Sequence, residues 1–338
     1  MKKVFSANMA KRVRFILGLV ISAAFLYWAL NGLELDKFWS HLQGANYWWL
    51  LPGVAVYFIG VWVRTWRWHY LLRPLKPIPL SKLFPVVCIG YAGNNIYPAR
   101  AGELLRAYIL RVQEGVSVSA NMATVVVERI FDGLVMLTFV IFALPFANFG
   151  DSYNNFVLFF STLFLGALIV FLVMAARPEW TQQLVAFLVQ RLVPARFQDS
   201  INNLVARFLE GLSSLRSGRD VLMIFVTSVL IWLLETMKYW FVMQAFPFDV
   251  SFAILMLMNG IVNLTTTLPA APGHLGTFDG PGIQVLEAFG VPQAIATGYT
   301  LVLHAALWLP ITLVGLIYLW QARLDIKRVR QEMETLAE

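Results

Sequence analysis

Nine apolar windows divide the chain, at about 13–30, 47–66, 83–97, 121–146, 155–176, 221–246, 252–268, 275–289 and 294–322. A helix needs roughly 20 apolar residues to cross the hydrocarbon core of a bilayer. Six windows read as full spans: 13–30, 47–66, 121–146, 155–176, 221–246 and 294–322. The windows at 83–97 and 275–289 are short and interrupted. Segments 83–111 and 252–289 must each enter and leave by one side, and they read as re-entrant hairpins. The pattern predicts an all-α polytopic membrane protein of about six transmembrane helices and two re-entrant hairpins.

Charge sets the expected orientation. With the N-terminus inside, every Lys and Arg falls in a cytoplasmic segment except Lys37, Arg129 and Lys238, a strong positive-inside bias. Both termini are then cytoplasmic, and the expected location is the cytoplasmic (inner) membrane of a bacterium. The first hairpin begins and ends inside, the second outside. Their tips share Pro-Ala-x-x-Gly, at 98–102 and 269–273. A hairpin between two spans on each side is the pattern of an inverted-topology repeat. Its halves are 47–146 and 221–322, within a single membrane domain over 1–338. The connector 178–219 has apolar residues at helical spacing with Arg and Gln between them. It predicts two amphipathic helices broken near Pro194, lying on the cytoplasmic face or in the lipid interface. Tyr47-Trp48-Trp49 and the Trp-rich run Trp62–Trp68 read as interfacial aromatic belts.

Composition narrows the function. Hydrophobic residues form 59% of the chain and charged ones 13%, which excludes a soluble domain. The net charge of +7 is spread along the flanks of apolar segments, so no nucleic-acid partner is expected. The start MKKVFSANMAKRVR precedes an apolar run too long for a signal peptide, and reads as the flank of an uncleaved span. One cysteine, Cys88, excludes an internal disulfide and a cysteine-based metal cluster. His41, His69, His274 and His304 lack zinc-binding spacing, and neither a P-loop nor Gly-x-Ser-x-Gly occurs. No enzyme, cofactor or metal is expected.

The candidate chemistry lies at the breaks. Non-helical backbone at membrane depth survives only where protein or water covers it. In "NNIYPARAGELLRA", Pro98 and Gly102 break the helix, Asn94 and Asn95 would cap the freed groups, and a new helix would start near Ala101. Its positive end, with Arg100 and Arg106, suits an anion such as a phosphate. Glu103, three residues from both, would orient Arg106 or sense a headgroup amine. In "VVVERIFDG", Glu128 and Asp132 share a face; Arg129 between them would pair with one of the two, and Arg100 and Arg106 are the natural cross-partners, with structural pairing and a transport role equally open. Glu235 and Lys238 read as an internal ion pair. In "NGIVNLTTTLPAAPGHLGTFDG", Asn259, Asn263 and Thr265, Thr266 and Thr267 line the descent. Pro269, Pro272, Gly273 and Gly276 break it, with His274 and Asp279 the titratable groups near the tip. His274 would carry a proton or only a hydrogen bond, and His304 has the same two readings.

The combination Pro-x-Arg-x-Gly-Glu, Glu-Arg-x-x-Asp and Pro-x-x-Pro-Gly-x-x-Gly resembles the lysylphosphatidylglycerol synthase transmembrane-domain family over roughly 13–322. The matching residues are Pro98, Arg100, Gly102 and Glu103; Glu128, Arg129 and Asp132; and Pro269, Pro272, Gly273 and Gly276. His274 stands where the family often has a second glycine. No segment here resembles the soluble aminoacyltransferase half of the bifunctional members. The resemblance implies lipid translocation rather than synthesis: a flippase for an anionic or aminoacylated phospholipid, or for a polyprenyl-phosphate-type lipid. The alternative is a non-transporting lipid-binding accessory partner of a membrane lipid- or glycan-modifying enzyme. The expected partners are a membrane lipid with a phosphate headgroup, with a second copy of the chain and a lipid-modifying enzyme left open.

Overall fold

The structure is a computed structural model. It describes the backbone of residues 2–97, 101–143, 151–268 and 270–322, with side chains except at 2–15, 142–143, 151–161, 164 and 196. Pro98, Arg100 and Pro269 therefore lie outside the described residues. The described residues contain thirteen α-helices and no strand: α1 (Lys2–Leu30), α2 (Leu35–Gly44), α3 (Leu50–Leu72), α4 (Leu80–Ile96), α5 (Ala101–Glu114), α6 (Val118–Ala143), α7 (Asp151–Ala176), α8 (Pro178–Leu192), α9 (Ala195–Gly211), α10 (Gly218–Met243), α11 (Phe252–Thr265), α12 (Asp279–Ala288) and α13 (Gln293–Gln321).

Each window read as a full span is a helix of at least 23 residues. At 1.5 Å per residue these reach beyond the ~30 Å hydrocarbon core. Among the described residues, Tyr47–Leu72, Gly218–Met243 and Gln293–Gln321 are both long and apolar enough to cross a membrane. Ile16–Leu30 and Leu35–Gly44 make a further pair bent by 90°. Helix α2 was not expected. Its apolar face is narrow, with Phe38 buried between Asp36, Lys37 and Trp39 on the outside, so it is too polar to register as a window.

The connector forms two helices, α8 and α9, separated at Val193 and Pro194. Proline at 194 removes the donor that would continue α8. Trp180, Leu184, Phe187, Leu188 and Leu192 remain exposed along one face of α8, as an amphipathic helix at a lipid interface would leave them.

Packing brings the two hairpins together. Helix α3 lies against α10, α4 against both α5 and α13, and α11 against both α12 and α6. Exchanging α3–α6 for α10–α13 turns each contact into another one present: α4 on α13 becomes α11 on α6, and α5 on α6 becomes α12 on α13. The preceding helices follow the same exchange, with α2 on α13 and α9 on α6. Close approach needs small residues, as is usual between membrane helices. At Gly315 of α13 a Cβ would fall 2.4 Å from the Cys88 carbonyl oxygen of α4.

Candidate functional site

The first hairpin closes through Gly102. A Cβ there would lie 1.9 Å from the Gly90 carbonyl oxygen and 2.5 Å from the Asn94 nitrogen, so only glycine lets α5 sit this tightly on α4. That approach sets Arg106, one turn further, against α6. Its Nη2 donates to Glu128 Oε2 at 2.6 Å, and its guanidinium lies 4.2 Å from the centre of the Trp68 ring. The ring face adds attraction for the cation where water is excluded.

Asp132 is served differently. Arg67 of α3 grips it with two bonds, Nη1 to Oδ1 at 2.5 Å and Nη2 to Oδ2 at 3.2 Å, and its Nη1 also donates to Ser228 Oγ at 2.7 Å. Trp232 Nε1 donates to the same Oδ1 at 2.9 Å. Arg129 Nε lies 3.1 Å from Glu103 Oε1, with its Nη1 3.7 Å from Asp132. On α10, Lys238 Nζ donates to Glu235 Oε1 at 2.5 Å, and Arg64 Nη2 reaches Glu235 Oε2 at 3.4 Å. The result is one ionic cluster joining α3, α5, α6 and α10.

Five cations (Arg64, Arg67, Arg106, Arg129, Lys238) thus share four carboxylates (Glu103, Glu128, Asp132, Glu235). The imbalance is positive. Arg67 Nε and Arg106 Nε are buried and have no hydrogen-bond partner among the described residues. Buried polar groups normally find one, so these guanidinium edges retain capacity for an acceptor. The space between Arg64, Arg67, Asn94, Arg106 and Arg129 is only about 20 Å³, room for about one water-sized probe. As it stands the space is too small for a phosphate.

Helix α11 of the second hairpin is lined by neutral groups by contrast. Asn263 Nδ2 donates to Asn259 Oδ1 at 2.7 Å, and Asn259 Nδ2 to Thr236 Oγ1 at 3.0 Å. Thr265 Oγ1 donates to the Thr277 carbonyl at 3.0 Å, tying α11 to the chain that returns. Thr266 is buried and bonds the Asn263 carbonyl of its own helix. The tip Pro272–His274 is a single 3₁₀ turn, with positive φ at Gly273 (70°), His274 (60°) and Gly276 (82°). Asp279, fully buried, accepts from the Gly276 N–H at 2.9 Å and faces His304 Nδ1 at 2.7 Å. His304 Nε2 faces the Gly273 carbonyl at 2.8 Å.

The tips meet on α13. Asn95 Nδ2 donates to the Trp308 carbonyl at 3.2 Å and to Thr312 Oγ1 at 2.8 Å, and Trp308 Nε1 donates to the Asn95 carbonyl at 3.3 Å. Beside this junction opens a cavity of about 640 Å³, walled by Asn95, Ile96, Leu275, Leu301, His304 and Trp308. Neighbouring residues thus face different spaces: Asn94 lines the cationic pocket and Asn95 the apolar cavity. The end of α4 is the wall between them.

Several sequence expectations are corrected here. Arg64 and Arg67 were counted among the cytoplasmic charges; Arg67 is buried and Arg64 half-buried within α3, one helical turn apart on the face that meets α6 and α10. The partner of Asp132 is accordingly Arg67 and not Arg106, and Glu103 pairs with Arg129 rather than orienting Arg106. Trp68 is no belt residue: it is buried, donating to Thr124 Oγ1 at 3.1 Å. Asn94 and Asn95 do not cap a break, because α4 continues through Ile96. The ion pairs Arg106–Glu128 and Glu235–Lys238 are present as expected. A signal for Arg64 and Arg67 existed: "RTWRW" continues the helix-long apolar window at 47–66, and a cation inside a span implies an internal partner.

Comparison with known proteins adds a family match. The family model described as the lysylphosphatidylglycerol synthase TM region matches residues 15–315. A UPF0104 membrane protein of Methanothermobacter thermautotrophicus is 26% identical over 80% of this chain and 83% of its own length. One from Methanocaldococcus jannaschii is 25% identical over 92% and 94%. The glycosyltransferase AglD of Haloferax volcanii is 22% identical over 91% of this chain, a match that spans 54% of AglD. No solved structure matches.

Proposed function

We propose that this chain, which belongs to the lysylphosphatidylglycerol synthase transmembrane-region family, moves a phosphate-bearing lipid between the leaflets of its membrane. The observation that carries the reading is the pairing of unlike spaces across the end of α4. One side offers unsatisfied guanidinium edges, the other an apolar cavity of about 640 Å³. An amphipathic lipid needs both at once. Arg67 and Arg106 would take the phosphate through paired N–H donors. The carboxylates Glu103 and Glu128 would hold the guanidiniums in place until α5 shifts, and would meet an amine if the headgroup carries one.

The symmetric helix contacts support an inverted repeat with halves 47–146 and 221–322. In that reading the first hairpin dips from the cytoplasmic side and the second from the opposite side, and both termini are cytoplasmic. Alternating access would come from one half rocking on the other about α3 and α10. The movement would follow a gradient of lipid, of potential or of protons.

The test uses purified protein in phosphatidylethanolamine–phosphatidylglycerol vesicles, with a fluorescent phosphatidylglycerol quenched from outside by dithionite. Wild type should expose the inner-leaflet label. Arg106→Gln with Glu128→Gln removes both members of a pair, leaves no lone buried charge, and should fold while losing transport by at least about tenfold, or ~1.4 kcal/mol of lost lipid binding. Transport unchanged in that double variant would sink the reading.

A second reading has its own support, since a protein named as a glycosyltransferase aligns over most of this chain. A non-transporting partner of a lipid- or glycan-modifying enzyme would bind the labelled lipid and never move it.

A further inference from the structure

The apolar cavity has one titratable wall. His304 sits mid-helix on α13 with both ring nitrogens engaged: Nε2 lies 2.8 Å from the Gly273 carbonyl and Nδ1 2.7 Å from Asp279 Oδ1. A carbonyl oxygen only accepts, so Nε2 must carry a hydrogen. Nδ1 then has two choices. It carries a hydrogen too, and an imidazolium faces an ionised Asp279; or its lone pair accepts from Asp279, which must then be the neutral acid. The two forms hold the same number of protons. The observed contacts therefore require one proton more than a neutral histidine beside an ionised aspartate possesses.

We propose that His304 and Asp279 form a proton-binding site that latches the tip of the second hairpin. When the shared proton leaves, one hydrogen remains for two acceptors. The carboxylate is the stronger acceptor and keeps it on Nδ1. Nε2 then turns a lone pair on the Gly273 carbonyl, and the bond holding the tip is lost. The tip is set to move when released. Its His274 occupies left-handed backbone at φ 60°, a strained conformation for a non-glycine residue. Gly273, His304 and Trp308 all border the cavity, so release widens the space on the apolar side of α4 and gives the proton a route out.

Other charged and titratable groups lie on the elements around the pair. The elements packed around it are α1, α2, α3, α4, α10, α11, α12 and the turn Pro272–His274. The turn brings His274 and α12 brings Glu287 near its far end; α11 and residues 16–30 of α1 carry no Asp, Glu, Lys, Arg or His, and α4 only Lys82 at its start. Asp36, Lys37 and His41 belong to α2, which meets α13 at Gly298 through Leu42. Arg64, Arg67, Glu235 and Lys238, from α3 and α10, are committed to the ionic cluster; Arg73 and Asp220 pair with each other, His69 Nδ1 lies 2.7 Å from the Ile78 carbonyl, and Arg219 is exposed at the start of α10. Phe278 covers one face of the imidazole, ring centres 4.5 Å apart.

The coupling of this proton to lipid movement rests on the translocase reading; the proton site does not. The test places nitroxides at 96 and 275, on opposite hairpins, using Ile96→Cys and Leu275→Cys in a Cys88→Ala background. Distances are read by double electron–electron resonance in vesicles at about pH 5 and about pH 9, bracketing the imidazole range. The proposal expects a longer, broader distribution at the higher pH. His304→Gln, which does not titrate, should abolish the shift. If that variant fails to fold, Asp279→Asn supplies the answer: its amide donates to Nδ1 and accepts from Gly276, mimicking the neutral acid, so the short distance should persist at both pH values. A wild-type distance that ignores pH overturns the proposal, as does the same pH shift in the variants. A pH-dependent distance without lipid movement in the dithionite assay retains the proton site and removes the translocase reading.

Discussion

The two hairpins occupy equivalent places in the helix packing and are built from opposite materials. Helix α5 of the first carries Glu103 and Arg106 into an ionic cluster with α6, whereas α11 of the second is lined by Asn259, Asn263 and Thr265. Charge makes the first hairpin rigid: moving α5 separates ion pairs where solvent does not compensate. Neutral hydrogen bonds are individually worth about 1 kcal/mol, so the second hairpin is the softer of the two. Under the proposed translocase this divides the labour: headgroup binding on the charged side waits on a costly shift of α5, and the neutral side moves more readily.

The largest expected effect probes the charged side. Arg67→Met removes the two-bonded partner of buried Asp132, leaving Arg129 Nη1 3.7 Å away as its nearest described cation, and should destabilise the purified protein by about 3 kcal/mol, read as a large fall in melting temperature in detergent. Replacing both partners, Arg67→Met with Asp132→Leu, should recover much of that loss. A double variant as unstable as the single one would mean that the cluster acts through packing around Trp232 and Ser228 rather than through charge.

Next come the glycines on which the two tips close. Gly102→Ala must push aside backbone atoms of α4, and overpacking of this kind costs about 1–3 kcal/mol or more. Gly276→Ala meets the Ser22 carbonyl at 2.3 Å and must also hold φ at 82°. The second substitution should therefore lower the melting temperature at least as far as the first, although its hairpin bears no charge cluster. A Gly276→Ala protein as stable as wild type would show that the second tip tolerates rearrangement even without deprotonation.

How much of this was legible follows the same contrast. The six long helices and both hairpins were readable because apolar windows report the demand of the bilayer directly. So were Arg106–Glu128 and Glu235–Lys238, whose members are close in sequence or sit on adjacent segments. Arg67–Asp132 was not legible, because it joins positions 65 residues apart across helices whose packing no window encodes. His304–Asp279 stayed hidden for the same reason, since nothing in the residues between them indicates that α13 folds back over the tip. Trp68 was misread because a tryptophan near a span end looks interfacial whether or not a guanidinium covers it.

A smaller effect sharpens the neutral side. Thr265→Val removes the bond that ties α11 to the Thr277 carbonyl and leaves that acceptor without it. The cost should be about 1 kcal/mol, with faster amide hydrogen exchange around residues 270–278 and no change at α5. Exchange that rises equally in both hairpins would mean that they open as one unit and would end the division proposed above.

The smallest effect lies at the outer end of the first hairpin. Glu114, the last residue of α5, lies 2.7 Å from Lys76 Nζ and 2.8 Å from Lys82 Nζ, bracing α5 against the chain entering α4. Hydrogen bonds from the two ammonium groups hold its carboxyl below the ordinary glutamate range. A depressed carboxylate contributes its stability above the unfolded value, about 4.3, and that contribution fades as pH falls through the lower folded value. Both lysines are substantially exposed, so the contribution is well under about 1 kcal/mol and weakens with salt. The end of α12 has no such brace, only a Gln284-to-Glu287 hydrogen bond at 2.9 Å. Glu114→Gln should therefore cost slightly at neutral pH, and the difference from wild type should shrink in acid as pH falls through the lowered folded value of Glu114. A penalty that persists in acid would assign Glu114 a packing role and remove the ionic brace from the account of the first hairpin's stiffness.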